Sequence, residues 1–363
     1  MGRPTVAIDC RLMKHRRAGI SQYTRGLAIA LSELPARDFD LVLLLDRRDR
    51  DTQWIPAGVT VRRTVTPAHH RFEPWAWPLE LAARFPGLAL LHSPDFITPA
   101  GRFKKVITLH DLYFMEHPEV MGVDGARYYA RTPDSAARAH RIIAVSAHTA
   151  ADIGQHLGPA ASDKTVVVHE AGAIPVLVAR SEDAIQPYVL FVGTFEPRKN
   201  LDTLLRALAR PEASAVHLVI AGEPGWRAGG PAELANELGV AGRVRFAGRV
   251  DDSKLDALYA RARGFVMPSL SEGFGLPVLE AMARGVPVVC AAAGALPEVA
   301  GAAALLHAPS DGAALANHLG ELWADPGLRA DLARRGLAQA ARFSWARAAR
   351  ETAAVYRAAM GLR

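Results

Sequence analysis

Short apolar runs and helical stripes alternate along the chain, and their rhythm predicts the architecture. Thr5–Ile8 reads as a strand, and Ile20, Tyr23, Leu27, Leu31 and Leu34 then recur at the spacing of one helical face. Further strands are expected at Leu41–Leu45, Val59–Val65, Leu88–Leu91, Val106–Leu109 and Ile142–Val145. Strands separated by helices imply βαβ units, a parallel sheet and helices on both of its faces. The stretch from Ile174 to Tyr188 breaks this rhythm with Pro175, Pro187 and the polar Ser181-Glu182-Asp183, which marks a linker. Alternation then resumes, with strands expected at Val189–Val192, Val216–Ala221, Val244–Phe246, Gly264–Met267 and Val286–Val289.

The pattern predicts an α/β chain of two doubly wound, Rossmann-like domains that face each other across a cleft. The first takes residues 1–173, the linker 174–187 and the second 188–344. A length of 363 residues suits roughly two domains of ordinary size. A last apolar stripe, Trp345, Ala348, Ala349, Thr352, Val355 and Tyr356, is helical to the terminus. Its period leaves open whether residues 345–363 close the second domain or cross back onto the first. Ligands of such sheets bind beyond the carboxyl ends of the strands, so candidate chemistry is sought there.

Composition narrows the field without choosing a function. Half of the residues are hydrophobic and 22% are charged, a globular balance. The two cysteines, Cys10 and Cys290, end different strand-like runs, which argues for a reducing, cytoplasmic setting over a disulfide framework or a zinc cluster. The amino terminus runs directly into a strand, so a signal peptide is not expected, and no apolar run approaches the ~20 residues of a membrane span. The net charge of +6 gathers at Lys14 to Arg17, at Arg47, Arg48 and Arg50, and at Arg102, Lys104 and Lys105. Such a surface suits a diphosphate, an anionic lipid or a nucleic acid, but on charge alone a solvated Arg-rich face is the expectation.

The most informative stretch runs from Pro268 to Met282, Pro-Ser-Leu-Ser-Glu-Gly-Phe-Gly-Leu-Pro-Val-Leu-Glu-Ala-Met, directly after an expected strand. Pro277 fits the first turn of a helix, where its missing N–H costs nothing. Gly273 and Gly275 let backbone approach a ligand just before a helix start, whose N–H groups and dipole favour a phosphate. Glu272 and Glu280 flank that turn as acceptors for hydroxyls, the chemistry of a sugar phosphate. The bland alternative makes Glu272 a helix cap and leaves Glu280 in solvent. A second turn, Gly193-Thr194-Phe195-Glu196-Pro197-Arg198-Lys199-Asn200-Leu201, places two cations at another strand end, where they can neutralise a diphosphate leaving group. Its alternative is a solvated basic turn with Asn200 or Asp202 as the cap.

In the first half, Thr108-Leu109-His110-Asp111-Leu112 ends a buried strand in a polar pair. Gly19, in Ala18-Gly19-Ile20-Ser21, is a candidate phosphate contact, although no G-x-G-x-x-G surrounds it and a dinucleotide cofactor is poorly supported. Asp49-Arg50-Asp51 resembles a metal-binding pair but sits in alternating charges, the mark of a solvated loop. In Glu73-Pro74-Trp75-Ala76-Trp77-Pro78 the two indoles suit an acceptor sugar, a membrane interface or the core, and core packing is the expectation.

Together these motifs resemble the retaining glycosyltransferases of family 4, which have the GT-B fold. The resemblance spans nearly the whole chain and is most specific from Val244 to Val289. It also takes in Val145-Ser146-Ala147-His148-Thr149 and Phe343-Ser344-Trp345. It implies that Glu280 binds the ribose, Glu272 the donor sugar, and the backbone of Gly273, Phe274, Gly275 and Leu276 the sugar and phosphate. Lys199 with Arg198 would neutralise the diphosphate beside Gly193 and Thr194. His110 would reach the transferred sugar, Gly19 would line the diphosphate, and the last helix would return to the first domain. Thr194 departs from the Arg common in relatives, and Val168-His169-Glu170-Ala171-Gly172 lacks their Pro-Asn.

The resemblance further implies transfer of a hexose from a nucleoside diphosphate sugar with retention, no covalent protein nucleophile, no metal and no cofactor. The Gly193 to Asn200 turn is similar to that of bacterial mannosyltransferases that build surface polysaccharides, which points to GDP-mannose as donor. The acceptor would be a glycan or polyprenol-linked glycan, met by a cytoplasmic enzyme visiting an anionic membrane, and no nucleic acid is expected. Two rivals stand beside this reading: a sugar-nucleotide epimerase of the same fold, and a non-catalytic protein that binds nucleotide sugars.

Overall fold

A computed structural model describes residues 2–14, 19–120, 123–172, 180, 185–223 and 230–362. The chain forms two compact units, Met1–Ala171 with Ser344–Arg363, and Gly172–Phe343. Most of the expected linker lies outside the described residues, and Gln186, at its end, already belongs to a strand.

The first unit holds β1 (Thr5–Asp9), β2 (Asp40–Asp46), β3 (Thr60–Thr64), β4 (Leu88–Ser93), β5 (Lys104–Leu109), β6 (Arg141–Ala144) and β7 (Thr165–Val167). They form one parallel sheet in the order β3-β2-β1-β4-β5-β6-β7. Central strands such as β2, Asp-Leu-Val-Leu-Leu-Leu-Asp, are apolar on both sides because helices cover both faces. β1 has β2 on one side and β4 on the other, so the strand order reverses there and opens a crevice beyond Asp9 and Ser93.

The last helix, Trp345–Met360, belongs to this unit. Ser344 caps it by accepting from the Arg347 N–H. Its buried stripe, Ala348, Ala349, Ala353, Val355 and Tyr356, joins the core of Tyr23, Leu27, Leu31 and Phe39. Gly26 permits that packing, because a Cβ there would come within 2.3 Å of the Trp345 ring.

The second unit holds β8 (Gln186–Val192), β9 (Leu218–Ala221), β10 (Val244–Gly248), β11 (Ala262–Met267), β12 (Val288–Ala291) and β13 (Ala304–His307). The order β10-β9-β8-β11-β12-β13 is again parallel, with its reversal between β8 and β11. The two informative turns of the sequence follow these two central strands. The pattern missed β7 and β13, two short edge strands, and placed β12 two residues early, across Pro287. Among the described residues no helix is long and apolar enough to cross a membrane.

Candidate functional site

In the second unit, the turn after β8 is built on a close approach of two glycines. A Cβ on Gly222, after β9, would stand 1.9 Å from the Gly193 carbonyl oxygen, so only glycine fits there. Pro197–Lys199 form a short 3-10 turn, and Asn200 follows in the left-handed region at φ 55°. Asn200 starts the helix Leu201–Leu208, but its side chain caps nothing there. It donates instead to the carbonyls of Pro268 (3.0 Å) and Pro309 (2.9 Å), and the Leu270 N–H donates to the Arg198 carbonyl at 2.8 Å. The turn after β8 is thereby locked to the loop after β11.

That locking brings Arg198, Lys199 and Glu272 into one ion cluster. Glu272 Oε1 accepts from Lys199 Nζ and from Ser269 Oγ, each at 2.7 Å, and Oε2 accepts from Arg198 Nη1 at 2.9 Å. Arg198 also donates to the Ser271 carbonyl and to Glu196 Oε1. Burial alone would raise the Glu272 carboxyl, but Lys199 and Arg198 overcome it and hold the group down at about 2. Glu272 is therefore no helix cap. Its backbone rests on Gly294 (φ 56°), where a Cβ would stand 2.4 Å from the Glu272 carbonyl oxygen, and that oxygen accepts from the Ala295 N–H at 2.8 Å. No motif drew attention to Gly294.

The helix Leu276–Ala283 begins at Gly275, whose φ of 104° makes the turn, and Pro277 sits at its start as expected. Glu280 lies one turn into it and is buried rather than in solvent, accepting from the Tyr259 hydroxyl at 3.1 Å. Burial and the Glu280 charge push the Tyr259 hydroxyl well above its ordinary range. Below it, buried Arg284 donates to Asp256 (2.7 Å) and to the Glu280 carbonyl (2.8 Å), which fixes the helix from inside. Gly273, Phe274 and Leu276 fall between the two carboxylates on the same loop and helix start. Thr194 supplies a carbonyl that accepts from the Glu196 N–H at 3.0 Å. A cavity of about 680 Å³ adjoins the cluster through Glu196, Pro197 and Asn200, with Phe195, Phe246 and Gly248 in its wall.

His110 and Gly19 lie in the first unit. His110 follows β5, and both of its ring nitrogens meet acceptors: Nδ1 faces Glu170 Oε1 at 2.7 Å and Nε2 the Pro94 carbonyl at 2.8 Å. Burial works against its charge, yet these acceptors leave its pKa raised. Acceptors at both nitrogens favour the charged form of the ring. Its Nε2 is thus already engaged. Gly19 is exposed at the first residue of the helix Gly19–Ser32, and residues 15–17 of the neighbouring basic cluster lie outside the described residues. Asp49 is buried and accepts from the Asp51 N–H, so the pair serves its own turn.

Sequence reasoning missed a second cluster, in the crevice of the first sheet. Arg11 is buried, donates to Asp9 Oδ2 (2.7 Å) and Glu73 Oε1 (2.8 Å), and lies 3.8 Å over the Trp77 ring. Asp95 accepts from the Tyr128 hydroxyl and faces His69 Nε2. The available signal was position: Asp9 ends β1 and Asp95 follows β4. Trp77 packs in the core as expected, whereas Trp75 does not, since it is 67% exposed.

Residues 179–339 match the family model of glycosyl transferases group 1, and residues 18–171 that of glycosyltransferase family 4. The O-antigen chain mannosyltransferase B of Escherichia coli is 36% identical over 282 residues, which are 74% of this chain and 74% of that protein. Sucrose-phosphate synthase from Thermosynechococcus elongatus has a similar structure, with a TM-score of 0.77 at 24% identity over 99% of this chain and 100% of that one. Anabaena Alr3699/HepE in complex with UDP and glucose gives a TM-score of 0.73 at 21% identity, over 97% and 99% of the two chains. At such identities the structural likeness speaks for the two-domain GT-B architecture.

Proposed function

This chain belongs to the glycosyltransferases of group 1, family 4, and we propose that it transfers mannose from GDP-mannose to a glycan or polyprenol-linked acceptor, with retention at the anomeric carbon. The observation that carries the proposal is the Glu272 carboxylate held ionised between Lys199 and Arg198 at the reversal point of the second sheet. Lys199 spends one of its three donors on Glu272, and the others suit phosphate oxygens. Glu272 can then accept from sugar hydroxyls and Glu280 from the ribose, with the start of the Leu276–Ala283 helix favouring the diphosphate charge. The similarity to a mannosyltransferase of O-antigen chains supports the choice of mannose and of a surface glycan.

In the proposed step the bond from the anomeric carbon to the β-phosphate oxygen breaks, and the acceptor oxygen bonds that carbon on the same face. The acceptor proton passes to the departing phosphate. Lys199 and Arg198 stabilise the charge that develops there, so no protein nucleophile, metal or cofactor enters the scheme. A role for His110 toward the sugar, as the resemblance implies, requires the Pro94 carbonyl to release Nε2. The reaction is assigned to the cytoplasmic side of a membrane that carries the acceptor.

The test is transfer from GDP-mannose to a mannosyl acceptor, with product configuration read by NMR. An α-linked product from the α-linked donor is expected. A β-linked product would refute retention, and transfer from UDP-sugars alone would refute the donor.

A further inference from the structure

The helix Glu73–Arg84 carries two indoles with opposite fates. Trp77 is in the core, while Trp75 is 67% exposed, together with Phe72 (49%), Leu79 (71%) and Val65 (51%). The Phe72 and Trp75 rings stand 6.5 Å apart, and Leu79 lies one helical turn beyond Trp75. Val65 is tied to the same helix, because its N–H donates to Glu80 Oε1 at 2.7 Å. Among the described residues of the first unit, these are four of the six exposed large hydrophobic side chains, so the exposure is gathered and not scattered.

The rim of this patch is cationic. The Arg71 guanidinium lies 4.5 Å over the Phe72 ring, Arg62 and Arg63 are exposed on β3, and Arg84 at the helix end is paired with Glu80 at 2.7 Å. Arg47 and Arg48 are exposed beside the end of β3, where the Arg47 N–H donates to the Thr64 carbonyl at 2.9 Å. The carboxylates of the helix turn inward: Glu73 is buried against Arg11, and Glu80 accepts from the Val65 and Thr66 N–H groups.

We propose that this face docks the enzyme on an anionic lipid bilayer. Phe72, Trp75, Leu79 and Val65 enter the boundary between headgroups and acyl chains, and Arg62 and Arg71 pair with lipid phosphates. A helix face with an indole and aliphatic side chains under a rim of one sign is the chemistry of an interfacial anchor. Arginine stems add to it, because they cover apolar surface while their heads remain in water. The purpose of the docking rests on the lipid-linked acceptor proposed above, and its occurrence does not. His69, three residues before Phe72, has a φ of 61° and faces Asp95 in the crevice of the first sheet. Docking therefore brings that crevice next to the lipid surface.

The test is co-sedimentation of the full chain with vesicles of phosphatidylglycerol and phosphatidylethanolamine, against vesicles of phosphatidylcholine alone. The wild type is expected to favour the anionic vesicles and to lose binding as salt rises. W75S/L79S is expected to weaken partitioning at least about tenfold, equivalent to ~1.4 kcal/mol. R62Q/R71Q is expected to remove most of the preference for anionic lipid. A wild type that stays in the supernatant, a W75S/L79S chain that binds as well, or equal binding to phosphatidylcholine would overturn the proposal. So would a dimer that W75S/L79S abolishes without any vesicle binding, since a second copy would then be the occupant. Calorimetry of nucleoside diphosphate binding without lipid separates the two readings. Both proteins should bind alike, and failure in both would refute the donor site while leaving the docking result to stand by itself.

Discussion

The carboxyl ends of the two sheets carry ion clusters built on opposite terms. In the second unit, Glu272 sits between Lys199 and Arg198, which hold its carboxyl down at about 2. In the first, Glu170 and the Pro94 carbonyl favour the charge on His110, and His69 faces Asp95. The difference gives each unit its own pH behaviour. A raised histidine stabilises the folded unit fully below the ordinary value near 6.5, and that contribution is lost as pH rises through the raised value. A depressed carboxyl does the reverse: Glu272 contributes above its ordinary value near 4.5 and loses its effect only as pH falls toward 2. Above about pH 5 the second cluster is therefore constant, whereas the first loses its contribution once pH climbs past the ordinary histidine value.

The sharpest way to separate the units is Arg11→Met. It strips Asp9 and Glu73 of a buried partner, and the first unit should lose about 3–5 kcal/mol in denaturant unfolding, with nucleoside diphosphate binding retained. Loss of nucleotide binding at full stability would break the division. Lys199→Ala should cut turnover about 10²–10³-fold and change donor affinity less, since the role proposed for it is with developing charge. A change confined to KM in steady-state kinetics would count against it. Glu280→Ala should weaken diphosphate binding by about 1–3 kcal/mol, read by calorimetry, through the loss of an acceptor for the ribose. The smallest effect belongs to Glu170→Gln, at about tenfold or less in activity. It should lower the His110 titration midpoint, followed by NMR of the ring carbons, with no change in the acid limb set by Glu272. An unmoved midpoint would mean that Glu170 does not hold the His110 charge.

The sequence made the two clusters unequally legible, and the reason is spacing. Pro268 to Met282 is continuous, follows a strand and enters a helix, so its carboxylates, glycines and proline are placed by local rules. Asp9, Arg11, His69, Glu73, Asp95 and Tyr128 come together only through the order β2-β1-β4-β5 and its connections, which periodicity does not encode. Gly294 beneath Glu272 is a contact between two loops and left no local trace. β7 and β13 were missed because short edge strands lack the doubly buried apolar run of a central strand. Asn200 looked like a cap, but its left-handed backbone turns the side chain toward Pro268 and Pro309. The fates of Trp75 and Trp77 were within reach of the sequence. Residues two apart on a helix do not share a face, so one indole in the core puts the other outside.

The most direct test of the central claim, that the Glu272 to Glu280 end of the second sheet holds a nucleoside diphosphate donor, is calorimetry with GDP, UDP, TDP and ADP, without added metal. The wild type should bind GDP in preference to the others, and Glu280→Ala should bind it more weakly. Folded protein that binds none of the four, or a Glu280→Ala chain that binds GDP as tightly as the wild type, would contradict it.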